Sequence, residues 1–158
     1  PEVQAKTALW VVGEGEAHGN LRQCAEGLGI IGKVRFWGHI SNYRLPDFYA
    51  AADLFVVPSI EATSGDTEGQ GVVLLEAFAA RLCVLATSIG GIPEVVDNGY
   101  TGILVEPRNP QQLSVAMEKL LRDRQLREKL ANNAFARVKN YGWEKIAEEL
   151  EGVYRAIL

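Results

Sequence analysis

Residues 53–87 read DLFVVPSIEATSGDTEGQGVVLLEAFAARLCVLAT, and the order of patterns in this stretch decides the fold. Asp53 to Val57 is a short run rich in β-branched and aromatic residues, closed by Pro58-Ser59, which predicts a central strand. A polar loop, Ile60 to Gln70, leads into an apolar helix, Gly71 to Ala80. A second apolar run, Cys83 to Thr87, returns as a strand. Two strands too short and too apolar to face water, joined through a helix, are the repeating unit of a parallel sheet covered on both faces.

The same alternation continues in both directions. Upstream, Ala8 to Val12 (ALWVV) predicts a buried strand, followed by the turn Gly13-Glu14-Gly15 and a helix carrying Leu21, Cys24 and Leu28 on one side. Val34 to Phe36 is a short strand closed by Gly38, and Leu45 to Ala52 suits a helix. Downstream, Gly90-Gly91 opens a short helix with Pro93 in its first turn, where a missing amide hydrogen costs little. Asn98-Gly99 is a turn and Gly102 to Val105 the next strand. The remainder is helical, with stripes at Leu113, Met117, Leu120, Leu121 and at Leu126, Leu130, Ala134, Val138. Trp143, Ile146, Ala147, Leu150, Val153, Tyr154 and Ile157 then keep the spacing of a helix laid against an apolar surface. The fold class is α/β: a Rossmann-like parallel sheet with helices on both faces, ending in a helical segment.

At 158 residues, 47% of them apolar and 23% charged, the chain has the composition of one globular domain with its own core. Sixteen basic against twenty acidic side chains give a net charge of −4, so no basic field exists to collect nucleic acid or an anionic membrane surface. Only seven of the sixteen basic residues precede position 117, so side-chain cations for phosphate are scarce in the first three-quarters of the chain. Two distant cysteines, Cys24 and Cys83, fit a reducing compartment better than a disulfide framework. No signal peptide and no apolar run of about 18 residues is present, and a cytoplasmic location is expected. The chain starts at Pro1 and enters a strand within a few residues, which reads as a piece of a longer protein.

Ligands of open parallel sheets bind beyond the carboxyl ends of the strands, which directs attention to the loop after Pro58-Ser59. Gly69 and Gly71 flank the start of a helix, where backbone amides and the macrodipole favour an anion and glycine permits close approach. Glu76 is the single charge in an otherwise apolar helix, an expensive place for a carboxylate without donors to bind. A sugar hydroxyl pair would supply them; a neighbouring backbone amide or an Arg is the structural alternative.

Here the sequence resembles a known family, the retaining glycosyltransferases of family 4, or group 1, whose two-domain GT-B architecture binds a nucleotide sugar in its C-terminal domain. Their signature is a pair of glutamates separated by seven residues, the spacing of Glu68 and Glu76. The likeness runs through LWVVGEGEAHGNL, VRFWGHI, LPDFYAAADLFVVPS, GDTEGQGVVLLEAFAA, VLATSIGGIPEVVDNGYTGILVEP and YGWEKIAEELEGVY. The order and spacing of these segments, more than any one of them, make it specific.

The resemblance implies that residues 1–158 are a nucleotide-sugar-binding domain, with a first strand–helix unit and an N-terminal acceptor domain lying upstream. Glu68 would contact hydroxyls of the transferred sugar, as the catalytic-site residue of this half. Glu76 would hold the nucleotide ribose. Amides of Gly69, Gln70, Gly71, Val72 and Val73 would face the sugar and diphosphate, and Gly38 and His39 would lie near the base. The basic pair that clamps the diphosphate in the family would also lie upstream; Arg35 and Arg81, the nearby cations, do not match its motif. The activity implied is transfer of a sugar from a nucleoside-diphosphate sugar to an acceptor held by the other domain, with retention. A sugar phosphorylase, a nucleotide-sugar epimerase, or a binding module without turnover are the alternatives on this architecture. Arg81 and Cys83 replace the Gly and Pro usual after the second glutamate's helix. The expected partners are the donor and its acceptor. Without its upstream strand the chain is expected to self-associate through an unpaired edge.

Other constellations are weaker. Gly13-x-Gly15 lacks the third glycine of a dinucleotide fingerprint because His18 stands there. His18 and His39 form no ligand spacing with the cysteines, and no Asp-x-Asp occurs, so no metal and no cofactor beyond the donor substrate is expected. Ser59 and Ser64 have no His and Asp in a hydrolase order. The mixed charges from Glu118 to Arg155 read as a solvated face.

Overall fold

The computed structural model describes residues 7–60 and 71–157. Its elements follow the predicted alternation: β1 (Leu9–Val12), α1 (His18–Gly27), β2 (Val34–Gly38), α2 (Leu45–Ala51), β3 (Phe55–Val57), α3 (Val72–Ala79), β4 (Val84–Thr87), α4 (Ile92–Val95), β5 (Ile103–Val105), α5 (Pro110–Arg122), α6 (Arg124–Val138) and α7 (Trp143–Ile157). Contacts gather in two compact units, Pro1–Phe48 and Tyr49–Leu158.

In the second unit β3, β4 and β5 form a parallel sheet in that order, with Phe55 opposite Val84 and Leu85 opposite Ile103. Every residue of β4 is buried, as a central parallel strand requires. Its side chains alternate between two apolar clusters. Val84 and Ala86 pack with Leu74, Phe78, Ile92 and Ala134, while Leu85 joins Val105, Leu120 and Leu130. One cluster is roofed by α3, α4 and α6, the other by α5 and α6, which is the two-faced layering predicted from sequence. An ion pair between Arg137 and Asp97 fastens α6 to the segment after α4, and a second Arg137 nitrogen donates to the Glu94 carbonyl at 3.0 Å.

In the first unit β1 runs parallel to β2, with Leu9 opposite Val34 and a register shift between Val11 and Val12. The sequence predicts a buried β1, and the structure corrects this: Leu9 is 50% and Val12 41% exposed. Among the described residues β1 has β2 alone for a neighbour, so an apolar strand is only half covered. Trp10, Trp37 and Phe48 make an edge-on aromatic cluster with centroids 5.0–5.7 Å apart. The stripe on α7 is likewise uncovered among the described residues, with Trp143 83% exposed.

Candidate functional site

The geometry begins at Gly71. It caps α3 with φ +55°, and a Cβ there would sit 2.9 Å from Leu74 Cδ1. Left-handed backbone and a blocked Cβ position together leave glycine as the fitting residue. No side chain caps the helix. The Leu74 amide donates to the Gly71 carbonyl at 2.7 Å, while the amides of Val72 and Val73 precede any carbonyl of their own helix that could accept from them. Both residues are exposed, and their amides stand at the positive end of the helix dipole.

Glu76 stands four residues after Val72 and three after Val73, on the helix face they share. Its carboxylate is half-buried and accepts a hydrogen bond from the Tyr49 hydroxyl at 2.8 Å on Oε2. Tyr49 lies in the last turn of α2, edge-on to Phe55 at 5.4 Å. Burial, then the bond to Glu76, then that carboxylate's negative charge push the phenol well above its ordinary value, so Tyr49 stays a neutral donor. A carboxylate offers about four acceptor positions, and one tyrosine does not exhaust them. Sequence reasoning missed Tyr49. The signal lay in two unmet needs: a tyrosine in an apolar segment requires a partner for its hydroxyl, and Glu76 requires donors.

Around the carboxyl ends of the second sheet, Thr87 Oγ1 donates to the Ser59 carbonyl at 2.6 Å, tying the end of β4 to the chain leaving β3. Beside this tie is a small cavity of about 150 Å³, whose lining includes Pro58, Ile60, Thr87, Glu106, Arg108 and Leu113.

In the first unit, the carboxyl ends of β1 and β2 border an open hollow of about 480 Å³ lined by Glu14, Gly15, His18, Phe36, Trp37 and Gly38. The Gly13 amide donates to the Gly38 carbonyl at 2.8 Å, joining the two strand ends. Gly38 has φ +62°, and the next amide, His39 N–H, donates to Glu14 Oε1 at 3.4 Å. His18 meets the Phe36 ring edge-on at 4.9 Å.

The predicted site residues therefore fall into three groups. Gly71, Val72, Val73 and Glu76 come together at the start of α3. Gly38 and His39 stand at the end of β2, in the other unit. Glu68, Gly69 and Gln70 lie outside the described residues. Arg81 follows the end of α3 at φ +55°, with its guanidinium 3.9 Å over the Phe135 ring and Nη1 donating to Asn132 at 3.1 Å. Its side chain rests against α6. Cys83 is buried, and burial raises its thiol to about 11. Among the described residues no cluster of His, Cys, Asp and Glu suits a metal ion, and no helix is long and apolar enough to cross a membrane.

Comparison with known proteins gives a consistent pattern. Residues 2–137 match the family described as Glycosyl transferases group 1. A GDP-mannose-dependent phosphatidylinositol monomannoside mannosyltransferase of Mycobacterium tuberculosis is 39% identical over 118 residues, covering 74% of this chain and 31% of that protein. Sucrose-phosphate synthase of Thermosynechococcus elongatus superposes with a TM-score of 0.81 at 27% identity, over 99% of this chain and 40% of that one. Anabaena Alr3699/HepE, solved in complex with UDP-glucose, gives 0.75 at 26% identity, over 96% and 43%. The chain spans about a third of the length of the curated relatives it matches.

Proposed function

The chain belongs to the group 1 glycosyltransferases, and on that premise we propose that it is the donor-binding portion of an enzyme that moves a sugar from a nucleoside diphosphate to an acceptor, with retention. The observation that carries this reading is the start of α3. Amides at a helix N-terminus, beyond the reach of their own helix's carbonyls, suit a diphosphate, and one turn on, a half-buried carboxylate in an apolar helix suits a pair of hydroxyls. Structural relatives bound to UDP and UDP-glucose support the same class of ligand. Because one relative is GDP-mannose-dependent and another is bound to UDP-glucose, family membership does not set the base.

In this reading Glu76 holds the ribose, Glu68 orients hydroxyls of the transferred sugar, and the amides of Gly69, Gln70, Gly71, Val72 and Val73 receive charge that develops on the departing diphosphate. Gly38 and His39 flank the base. Catalysis is then positioning and electrostatic stabilisation, and Glu68 is not a nucleophile. An exposed helix N-terminus contributes about 0.3 to 1 kcal/mol toward an anion, so this chain is expected to bind weakly, near the roughly millimolar range that corresponds to about 4 kcal/mol.

The two glutamates separate the roles. Glu76→Ala should weaken both free nucleoside diphosphate and nucleotide sugar by about tenfold, the loss of one charge-assisted contact. Glu68→Ala should spare the free nucleotide and weaken only the nucleotide sugar. Calorimetric or NMR titration with both ligands decides it, and equal losses on the nucleotide alone would reject the assignment.

A further inference from the structure

The hollow at the ends of β1 and β2 carries a recognition pattern that the family assignment does not supply. Two hydrogen-bonding groups meet there: the His39 backbone amide, a donor, and the Glu14 carboxylate, an acceptor with two oxygens. They are adjacent because the Gly13–Gly38 bond pins the strand ends together. Gly38 supports this arrangement through its left-handed backbone, φ +62°, which favours glycine and sets the direction in which the His39 amide leaves the strand. Together they offer an approaching base edge one donor and two acceptor oxygens.

We infer that Glu14 selects the base of the donor nucleotide and that it selects guanine, an inference that rests on Gly38 and His39 flanking the base. The pairing edge of guanine presents an acceptor, O6, followed by two donors, N1–H and N2–H. O6 takes the His39 amide in place of its long contact with Glu14, and both carboxylate oxygens accept from N1 and N2 in a charge-assisted pair. Uracil presents acceptor, donor, acceptor: its O2 would face the second carboxylate oxygen, two acceptors with no proton between them, which discriminates by repulsion. Adenine offers an amino donor where the amide also donates, and an acceptor, N1, where the carboxylate accepts. Only guanine meets all three groups. His18 and Phe36 border the same hollow and supply ring surface beside the base.

The test is an NMR titration of this chain with GDP, UDP and ADP, following the His39 amide, for the wild type and for Glu14→Gln and Glu14→Ala. Glu14 is exposed between β1 and α1, so neither substitution removes a core contact. A bidentate pair discriminates between bases by roughly 5- to 150-fold. The wild type should therefore bind GDP at least fivefold tighter than UDP or ADP, and both variants should bring GDP and UDP to within about twofold. Glu14→Gln should gain UDP affinity as well, because its amide can donate to O2. A wild type that prefers UDP, or a GDP/UDP ratio unchanged by Glu14→Gln, would overturn the inference while leaving donor binding intact. Failure of all three nucleotides to bind would overturn the donor-binding reading along with it.

Discussion

The Tyr49 hydroxyl and the Glu76 carboxylate, 27 residues apart in sequence, are joined by a 2.8 Å hydrogen bond at the start of the α3 site. The bond fixes the carboxylate's orientation without neutralising it, because burial and the adjacent charge hold the phenol protonated. Tyr49→Phe keeps the ring against Phe55 and removes this one donor. A hydrogen bond to a charged group is worth about 1.5 to 3 kcal/mol, less where water reaches it. We expect a loss of about 1 to 2 kcal/mol in urea unfolding and a several-fold weaker nucleoside diphosphate, both from the same variant. Unchanged affinity alongside lost stability would make Tyr49 purely structural.

Arg81 pays for a left-handed backbone with side-chain contacts. A non-glycine residue in that conformation costs about 1 to 2 kcal/mol, set against a cation–π contact with Phe135 and a hydrogen bond to Asn132. Arg81→Ala retains the strain and loses both contacts, whereas Arg81→Gly loses the contacts and the strain together. The glycine variant should be more stable than the alanine variant by about 1 kcal/mol in chemical denaturation. The reverse order would mean that the backbone there relaxes freely.

The two thiols should separate by reactivity and by pH. Cys24 is exposed and Cys83 buried, so a thiol reagent should modify one cysteine quickly in the folded protein and two in denaturant. Burial, opposed only in part by the charge of Arg127, raises Cys83 from a thiol's usual 9.0 to about 11. The folded state thus holds this proton more tightly than the unfolded state. The stability contribution is complete below about pH 9 and falls as pH rises toward 11, with a slope of up to about 1.4 kcal/mol per pH unit. Tyr49 shifts in the same direction and adds to the loss at still higher pH. Cys83→Ala should flatten the curve between pH 9 and 11; an unchanged curve would assign the alkaline loss elsewhere.

The exposed β1, with Leu9 and Val12 open on a strand that among the described residues is paired on one side, is a template for association. Sedimentation of this 158-residue chain should show mass rising with concentration, and a Leu9→Lys substitution should suppress it. A monomer at every concentration would reject this expectation.

Much of the second unit is legible in the sequence because its signals are local. Short apolar runs, Pro58, and the break at Gly71 place β3, α3 and β4 to within about two residues. What eludes sequence reading is relational. Periodicity labels ALWVV as interior without saying how many neighbours the strand has, so β1's exposure is invisible. It cannot pair Tyr49 with Glu76 or show that Arg81 replaces a usual glycine by leaning on α6. Glu14 reads as an ordinary turn residue until the bond between Gly13 and Gly38 sets it beside the His39 amide.

Among the described residues of the first unit, Ala25 alone is buried, so the hollow bearing Glu14 rests on a strand pair with little interior of its own. Its occupancy is then linked to the opening equilibrium of that pair. A ligand that binds only the closed form stabilises it by about 1.4 kcal/mol for each tenfold excess over its dissociation constant. Conversely, the affinity seen in solution is the hollow's intrinsic affinity reduced by the fraction of time the strands are closed. Any surface that covers Leu9 and Val12 would raise that fraction, tuning nucleotide affinity from the outer edge of the sheet without touching the nucleotide.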